Sequence, residues 1–195
     1  YHYGRWIRLE DTAWVWVPGS EWASAWVSWR RAPKYVGWAP LPPEARFRRD
    51  VGFSAWVDSY YDIGPANYNF VEVRNFGAPD VRTVIVNPRE NITIISQTTN
   101  ITRITYSHDN VFVGGPEYDQ ISRESRQPIR RLKLERNFNV EGGGAMRGDQ
   151  MRARVEGDSL HMMAPMININ VSSAPPKVSR KIEHATADRG WKAAG

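Results

Sequence analysis

Eight of the nine tryptophans in this 195-residue chain fall within its first 56 positions. They sit in short aromatic segments punctuated by glycine and proline: Tyr1-His2-Tyr3-Gly4-Arg5-Trp6, Trp14-Val15-Trp16-Val17-Pro18-Gly19, Trp22-Ala23-Ser24-Ala25-Trp26-Val27-Ser28-Trp29 and Tyr35-Val36-Gly37-Trp38-Ala39-Pro40. Indoles are large, rigid and specific in packing, so a stretch this dense stacks its rings on one another, on a partner or on a ligand. The local pattern favours strands. Trp14-Val15-Trp16-Val17 alternates ring with β-branched residue, which puts Trp14 and Trp16 on one face. Pro18-Gly19 is a turn signal. Strands are expected next at Ala25-Trp26-Val27-Ser28-Trp29 and at Tyr35-Val36-Gly37-Trp38, a spacing of roughly 10–12 residues that suits stacked hairpins. Pro40-Leu41-Pro42-Pro43 closes the module in an extended, polyproline-like link.

Beyond Gly64-Pro65, alternation continues in Phe70-Val71-Glu72-Val73-Arg74-Asn75-Phe76 and Val81-Arg82-Thr83-Val84-Ile85-Val86. It resumes in Ile92-Thr93-Ile94-Ile95, Ile101-Thr102-Arg103-Ile104-Thr105-Tyr106 and Val111-Phe112-Val113. Strands of five or six residues with tight connections are expected. Gly114-Gly115-Pro116 permits a helix near 116–127, with Pro116 in its first turn and Glu117 and Asp119 at its positive end. Leu132 and Leu134 return to alternation, and Ser159-Leu160-His161-Met162-Met163 is expected as a last strand. Gly142-Gly143-Gly144 opens a flexible stretch. A helix near 177–187 is expected, its stripe of Val178, Ile182 and Ala185 needing a docking surface. The fold class is therefore mainly β: an aromatic hairpin module (1–65), an antiparallel β-meander with a short helix (66–140), and an extended C-terminal arm with a helix (141–195).

Composition sets the remaining bounds. Hydrophobic residues make up 41% and charged residues 24%, which is globular, with a core expected before about residue 140 and looser structure after it. The net charge of +5 favours anionic neighbours. Nucleic acid is nevertheless disfavoured as a partner, because the aromatics alternate with Val, Ala and Pro rather than with Lys and Arg. The densest basic run (Arg123, Arg126, Arg130, Arg131, Lys133, Arg136) is diluted by Glu124 and Glu135 and reads as a solvated face. Cysteine is absent, which excludes disulfides, thiol nucleophiles and thiolate metal sites. No apolar run approaches the ~20 residues of a membrane span, so a transmembrane chain is not expected. The chain opens inside its aromatic pattern, without an initiator Met, and reads as a piece of a longer precursor.

No catalytic constellation stands out. His2, His108, His161 and His184 form neither an i, i+4 pair nor a ligand-spaced cluster. Ser107, His108 and Asp109 are adjacent on a turn and point different ways, and no nucleophile elbow is present. The glycine run lacks the Lys-Ser/Thr of a phosphate loop. Arg147-Gly148-Asp149 matches an adhesion tripeptide of the kind that arises by chance. Asn91-Ile92-Thr93, Asn100-Ile101-Thr102 and Asn170-Val171-Ser172 match the N-glycosylation pattern but read better as Asn/Thr hydrogen bonding at strand starts. No enzyme activity, cofactor or metal is expected.

The candidate site is the aromatic stripe itself: Trp6, Trp14, Trp16, Trp22, Trp26, Trp29 and Trp38, with Arg5 and Arg30. Three readings of it stay open: the core of a small β unit, a stacking face for sugar rings, and an interface, since Trp, Tyr and Arg are enriched in binding hot spots. Open strand edges add association by strand addition.

Tyr3-Gly4-Arg5-Trp6, Trp14-Val15-Trp16-Val17-Pro18-Gly19, Trp26-Val27-Ser28-Trp29-Arg30 and Tyr35-Val36-Gly37-Trp38-Ala39-Pro40-Leu41-Pro42-Pro43, in that order, resemble uncharacterised bacterial exported proteins with Trp/Tyr-Gly-rich repeats of a Tyr-x-Trp-Gly-x-Trp theme. Tyr3 stands here where the theme has Trp. The resemblance implies an exported, non-catalytic protein of the periplasm, outer cell envelope or extracellular space. From the residues themselves, self-association or docking of another envelope protein through the Trp-rich face is expected, with the poorly self-burying arm from about residue 141 wrapping a neighbour. A polysaccharide- or peptidoglycan-binding module is the alternative.

Overall fold

A computed structural model describes residues 2–45, 56–107, 110–137, 153–164 and 177–192. The fold is mainly β, with several small antiparallel sheets and few short helices. By contact the chain forms two compact units, residues 1–128 with 175–195, and residues 129–174. Strands drawn from both sides of position 65 share one sheet in the first unit, which is why the aromatic module and the segment after it group together.

The first unit opens with two hairpins built from the aromatic segments. β1 (Arg5–Leu9) pairs antiparallel with β2 (Ala13–Val17), and β3 (Val27–Arg31) pairs antiparallel with β4 (Tyr35–Pro40). β4 is joined on its other side by β5 (Asn69–Glu72), and β3 by the two-residue β6 (Thr99–Asn100), giving the sheet order β5-β4-β3-β6. Gly37 of β4 lies opposite Phe70 of β5. A Cβ at Gly37 would come within 2.3 Å of the Phe70 ring, so the absence of a side chain lets that ring seat on the sheet. The core gathers on this sheet, with Trp26, Ala39, Leu41, Val57, Tyr68, Phe70, Ile94, Ile104 and Val111 in one buried cluster. A further hairpin, β7 (Arg103–Ser107) with β8 (Asn110–Gly114), supplies Ile104 and Val111.

Helices are short: α1 (Val57–Tyr60), α2 (Asn91–Ser96) and α3 (Tyr118–Glu124). α3 falls inside the segment expected to be helical. α2 does not, because Ile92-Thr93-Ile94-Ile95 reads as a strand and folds as a helix. The cause is upstream. Asn87 caps a 3-10 turn at Pro88–Glu90, its side chain accepting from the Arg89 backbone N–H at 3.1 Å, and Pro88 at the first position feeds the chain into α2. Asn91 and Ile94 are then buried at helical spacing while Ile92 is exposed. Val81–Val84 is likewise a 3-10 helix rather than a strand, capped by the Asp80 carboxylate accepting from Arg82 N–H. β5 stops at Glu72, four residues short of the expected alternation, and turns into a 3-10 segment at Val73–Asn75.

The expected helix near 177–187 is absent. Val178 is 67% exposed and Ile182 40%, so the narrow stripe finds no docking surface and an isolated short helix does not pay its nucleation cost. The end of the chain instead runs extended along β1. Glu10 N–H donates to Thr186 O (3.1 Å), Asp188 N–H donates to Arg8 O (2.9 Å), and Leu9 bridges Ala187. Gly64 and Ala66 donate to Arg189 and Gly190 carbonyls (2.7 and 2.9 Å). Residues 186–192 therefore pack on their own chain.

The second unit is a three-stranded sheet of order β10-β11-β9, with β9 Lys133–Asn137, β10 Arg154–Glu156 and β11 Ser159–Met163. β11 supplies the strand expected at 159–163 and pairs parallel with β9, Leu160 beside Leu134. Parallel neighbours need a long connection between them, which residues 138–158 provide.

Candidate functional site

The aromatic stripe divides into two populations. The first is buried. Trp22 and Trp26 are each 6% exposed. The Arg5 guanidinium sits 3.1 Å from the Trp26 ring centroid, and its Nε donates to Ala45 O at 3.1 Å while Nη2 donates to Glu21 at 3.4 Å. Trp26 Nε1 donates to His2 O (2.9 Å), and the His2 ring stacks on Trp22 at 5.5 Å. A cation held over an indole face and closed in by hydrogen bonds fastens the chain start to Ala45.

Trp29 and Trp38 face each other across β3 and β4, with ring centroids 6.0 Å apart, and Phe76 packs edge-on against both at 6.3 and 6.5 Å. Their mutual packing uses these two rings internally. Arg30, named as an interaction residue from sequence, points into the core. It pairs with Asp58 of α1, its Nε donates to Thr98 Oγ1 and its Nη2 to Thr98 O, both at 2.8 Å. Tyr68 donates toward Asp58 at 3.4 Å and shares a 2.9 Å hydrogen bond with Ser28, which accepts from Asn100 Nδ2 at 2.9 Å. Burial raises the Tyr68 phenol well above its ordinary value. The network pins α1 and β6 to β3, and its polar groups are satisfied by one another. Of the nine residues named from sequence, Arg5, Trp22, Trp26 and Arg30 thus belong to the interior, and Trp29 and Trp38 to an aromatic cluster.

The second population faces out. The β1–β2 register places Trp6 opposite Trp16 and Arg8 opposite Trp14, so these four side chains share one face of the hairpin. Trp14 is 41% and Trp16 37% exposed. The Trp16 ring lies over Gly4, where a Cβ would come within 2.4 Å of it. A shallow cleft of about 20 Å³ runs beside this face, lined by Trp6, Arg8, Trp14, Tyr61, Asp188 and Arg189. Arg8 pairs with Asp188 (3.2 Å) and Arg189 with Glu44 (3.1 Å), which ties the C-terminal segment to the cleft rim. Trp191, 61% exposed, donates from Nε1 to Asp62 at 2.7 Å. Trp56 and Tyr60 extend the exposed aromatics, packed edge-on at 5.4 Å.

Arg8, Tyr61, Asp188, Arg189 and Trp191 were not singled out from sequence. Arg8 carried no signal of its own, because its pairing with Trp14 depends on the strand Arg5–Leu9 and on the turn length after it. The others are distant in sequence and converge only in the fold. Such a cleft is too small to enclose a metabolite. It offers flat rings flanked by cations and carboxylates, an arrangement for stacking and hydrogen bonding on a surface.

Among the described residues, no three His, Asp or Glu are placed to hold a metal, and no helix is long and apolar enough to cross a membrane. His161 lies 3.8 Å from Glu156 on the surface of the second unit, and His184 is exposed. Asn91 is 1% exposed, its Nδ2 donating to Pro65 O and Tyr68 O at 3.0 and 2.7 Å. It opens a helix rather than a strand, and its burial closes it to glycosylation. His108, Asp109, Asn170, the glycine run and the Arg147-Gly148-Asp149 tripeptide lie outside the described residues.

A family model described as "Family of unknown function (DUF6600)" matches residues 1–45. That span holds both aromatic hairpins and ends at Ala45, the residue whose carbonyl accepts from Arg5. No curated protein and no solved structure matches the chain.

Proposed function

We propose that this protein is a non-catalytic interaction protein that associates through the outer face of the β1–β2 hairpin, centred on Trp6, Trp14 and Trp16 with Arg8. The observation that carries this reading is the exposure of Trp14 and Trp16 on a strand with no charged residue. Exposed aromatic patches mark interaction sites. Native proteins ordinarily blunt an edge strand with charge or proline, and Ala13–Val17 carries neither. The partner class is a second copy or another envelope protein, and the setting is a bacterial envelope or extracellular assembly, as the Trp/Tyr-Gly resemblance implies. Residues 186–192 have no part in wrapping a neighbour on this reading, since they serve their own hairpin.

One observation favours polysaccharide as a second reading. The cleft sets Trp6, Trp14 and Tyr61 beside Arg8, Asp188 and Arg189, which is ring faces next to hydrogen-bonding charges. The two are separated by one double variant, Trp14→Ala with Trp16→Ala. Its native mass in cell fractions and its retention on insoluble peptidoglycan are compared with wild type. Loss of the large assembly with retention unchanged supports protein docking. Loss of glycan retention with mass unchanged supports the alternative. No change in either discards the hairpin face as the site.

A further inference from the structure

We infer that the partner of the β1–β2 hairpin is a second copy of the same chain, joined antiparallel along the outer edge of β2 on a two-fold axis through Val15. The inference rests on the proposal that this hairpin is the docking site. Among the described residues β2 pairs only with β1, so one line of its backbone N–H and C=O groups has no strand beside it. That edge is a template for strand addition.

The sequence of the edge selects the partner. Trp14-Val15-Trp16 is a palindrome, and a two-fold at Val15 maps Trp14 onto Trp16 of the other copy and Val17 onto Ala13. An isologous contact requires this kind of self-complementarity. Charge agrees. The five residues carry none, in a chain with 26 basic and 21 acidic side chains and a net charge of +5. Joined along this edge, the two copies bring no charged side chain of one β2 against a charged side chain of the other. The outer face then reads across four strands as Arg8, Trp14, Trp16 and Trp6, the last two from the second copy, with the reverse row beneath it. Trp6 and Trp16 already face each other within one copy, so the dimer continues an existing aromatic ladder instead of starting one. Six indoles lie on one side of the joined sheet. The other side brings Val15 against Val15.

The chain has no cysteine, which makes the axis directly testable. Val15→Cys is prepared in the full chain, with Val17→Cys as the off-axis control. Only residues on the axis meet their own copies at the separation a disulfide spans, a Cβ–Cβ distance of about 3.5–4.5 Å. Sedimentation of wild type and of Trp14→Lys gives the mass, with near-ultraviolet circular dichroism checking the fold of the variant. The expected result is a wild-type dimer, a folded Trp14→Lys monomer, and oxidised Val15→Cys cross-linked at least tenfold more than Val17→Cys. If Trp14→Lys becomes a monomer but Val15→Cys does not cross-link, the axis is wrong and the hairpin remains the docking site. If Trp14→Lys stays a dimer, both the axis and the hairpin site are wrong. A wild-type chain that is monomeric at all concentrations overturns the second copy as partner while leaving docking of a different protein to its own test.

Discussion

The two N-terminal hairpins are written in the same residues and meet opposite fates. β3–β4 buries Ser28, Val36 and Ala39 completely, and its Trp29 and Trp38 are packed beneath Phe76. β1–β2 leaves Trp14 and Trp16 more than a third exposed. Local pattern does not separate them, because both alternate indole with small or β-branched residues. Their neighbours do. β3–β4 has a strand on each side and a buried ion pair, Arg30 with Asp58, anchoring α1 to it. β1–β2 has the extended residues 186–188 along one edge and no strand along the other among the described residues. A tryptophan-rich hairpin is thus core when the chain supplies both edges, and surface when it supplies one.

The sharpest way to break this contrast is to truncate one indole from each hairpin. Trp26→Ala, adjoining β3, is expected to cost about 4 kcal/mol in urea unfolding, as large aromatic truncations in a core do. Trp14→Ala should cost less than about 0.5 kcal/mol. Equal losses would mean that β1–β2 is as much a part of the core as β3–β4. Removing the anchor comes next. Asp58→Ala leaves the Arg30 guanidinium without its carboxylate and should cost about 3 kcal/mol by the same measurement. Gly37→Ala drives a methyl into the Phe70 ring and should cost about 2 kcal/mol, with the near-ultraviolet spectrum shifting as the ring is displaced.

A pH experiment sharpens the same point about the buried network. Burial raises the Tyr68 phenol above its ordinary 10.0. Above that value the unfolded chain releases the proton while the folded chain retains it, so stability falls as pH rises past about 10. Tyr68→Phe should lose part of that fall when the two unfolding curves are compared across pH 9–11, and identical slopes would place the phenol in water. A small gain is expected at the hairpin turn. Ala13 holds φ at +78°, a region that suits glycine, so Ala13→Gly should gain about 1 kcal/mol in thermal unfolding.

The strands β2, β3 and β4 were legible because ring and β-branched alternation, together with Pro18-Gly19, leaves little else for those residues to do, whereas Arg5–Leu9 has no such alternation of rings and was not expected as a strand. The sorting of their tryptophans was not. Arg5 and Arg30 carry charge and so looked like surface groups, yet Arg5 is taken inward over Trp26 and Arg30 by a carboxylate 28 positions away, a distance that no local pattern encodes. Ile92-Thr93-Ile94-Ile95 misled for a related reason. Its β-branched composition favours a strand, but the capped 3-10 turn before it sets a helical start, and burying Ile94 with Asn91 outweighs propensity. The C-terminal segment was legible as poorly self-burying, its apolar stripe too narrow to stand alone. That it would lie against β1 and close the cleft with Asp188 and Arg189 depends on a backbone edge far away in sequence.

Oxidative footprinting of the tryptophans, performed on the intact protein dilute and again in its native assembly, separates the buried indoles from the exposed ones and shows whether the exposed ones are covered. Trp14 and Trp16 should be oxidised in the dilute chain and protected in the assembly, while Trp26 stays protected in both. Trp14 and Trp16 oxidised to the same extent in both states would contradict the account, because the exposed hairpin would then be touching nothing.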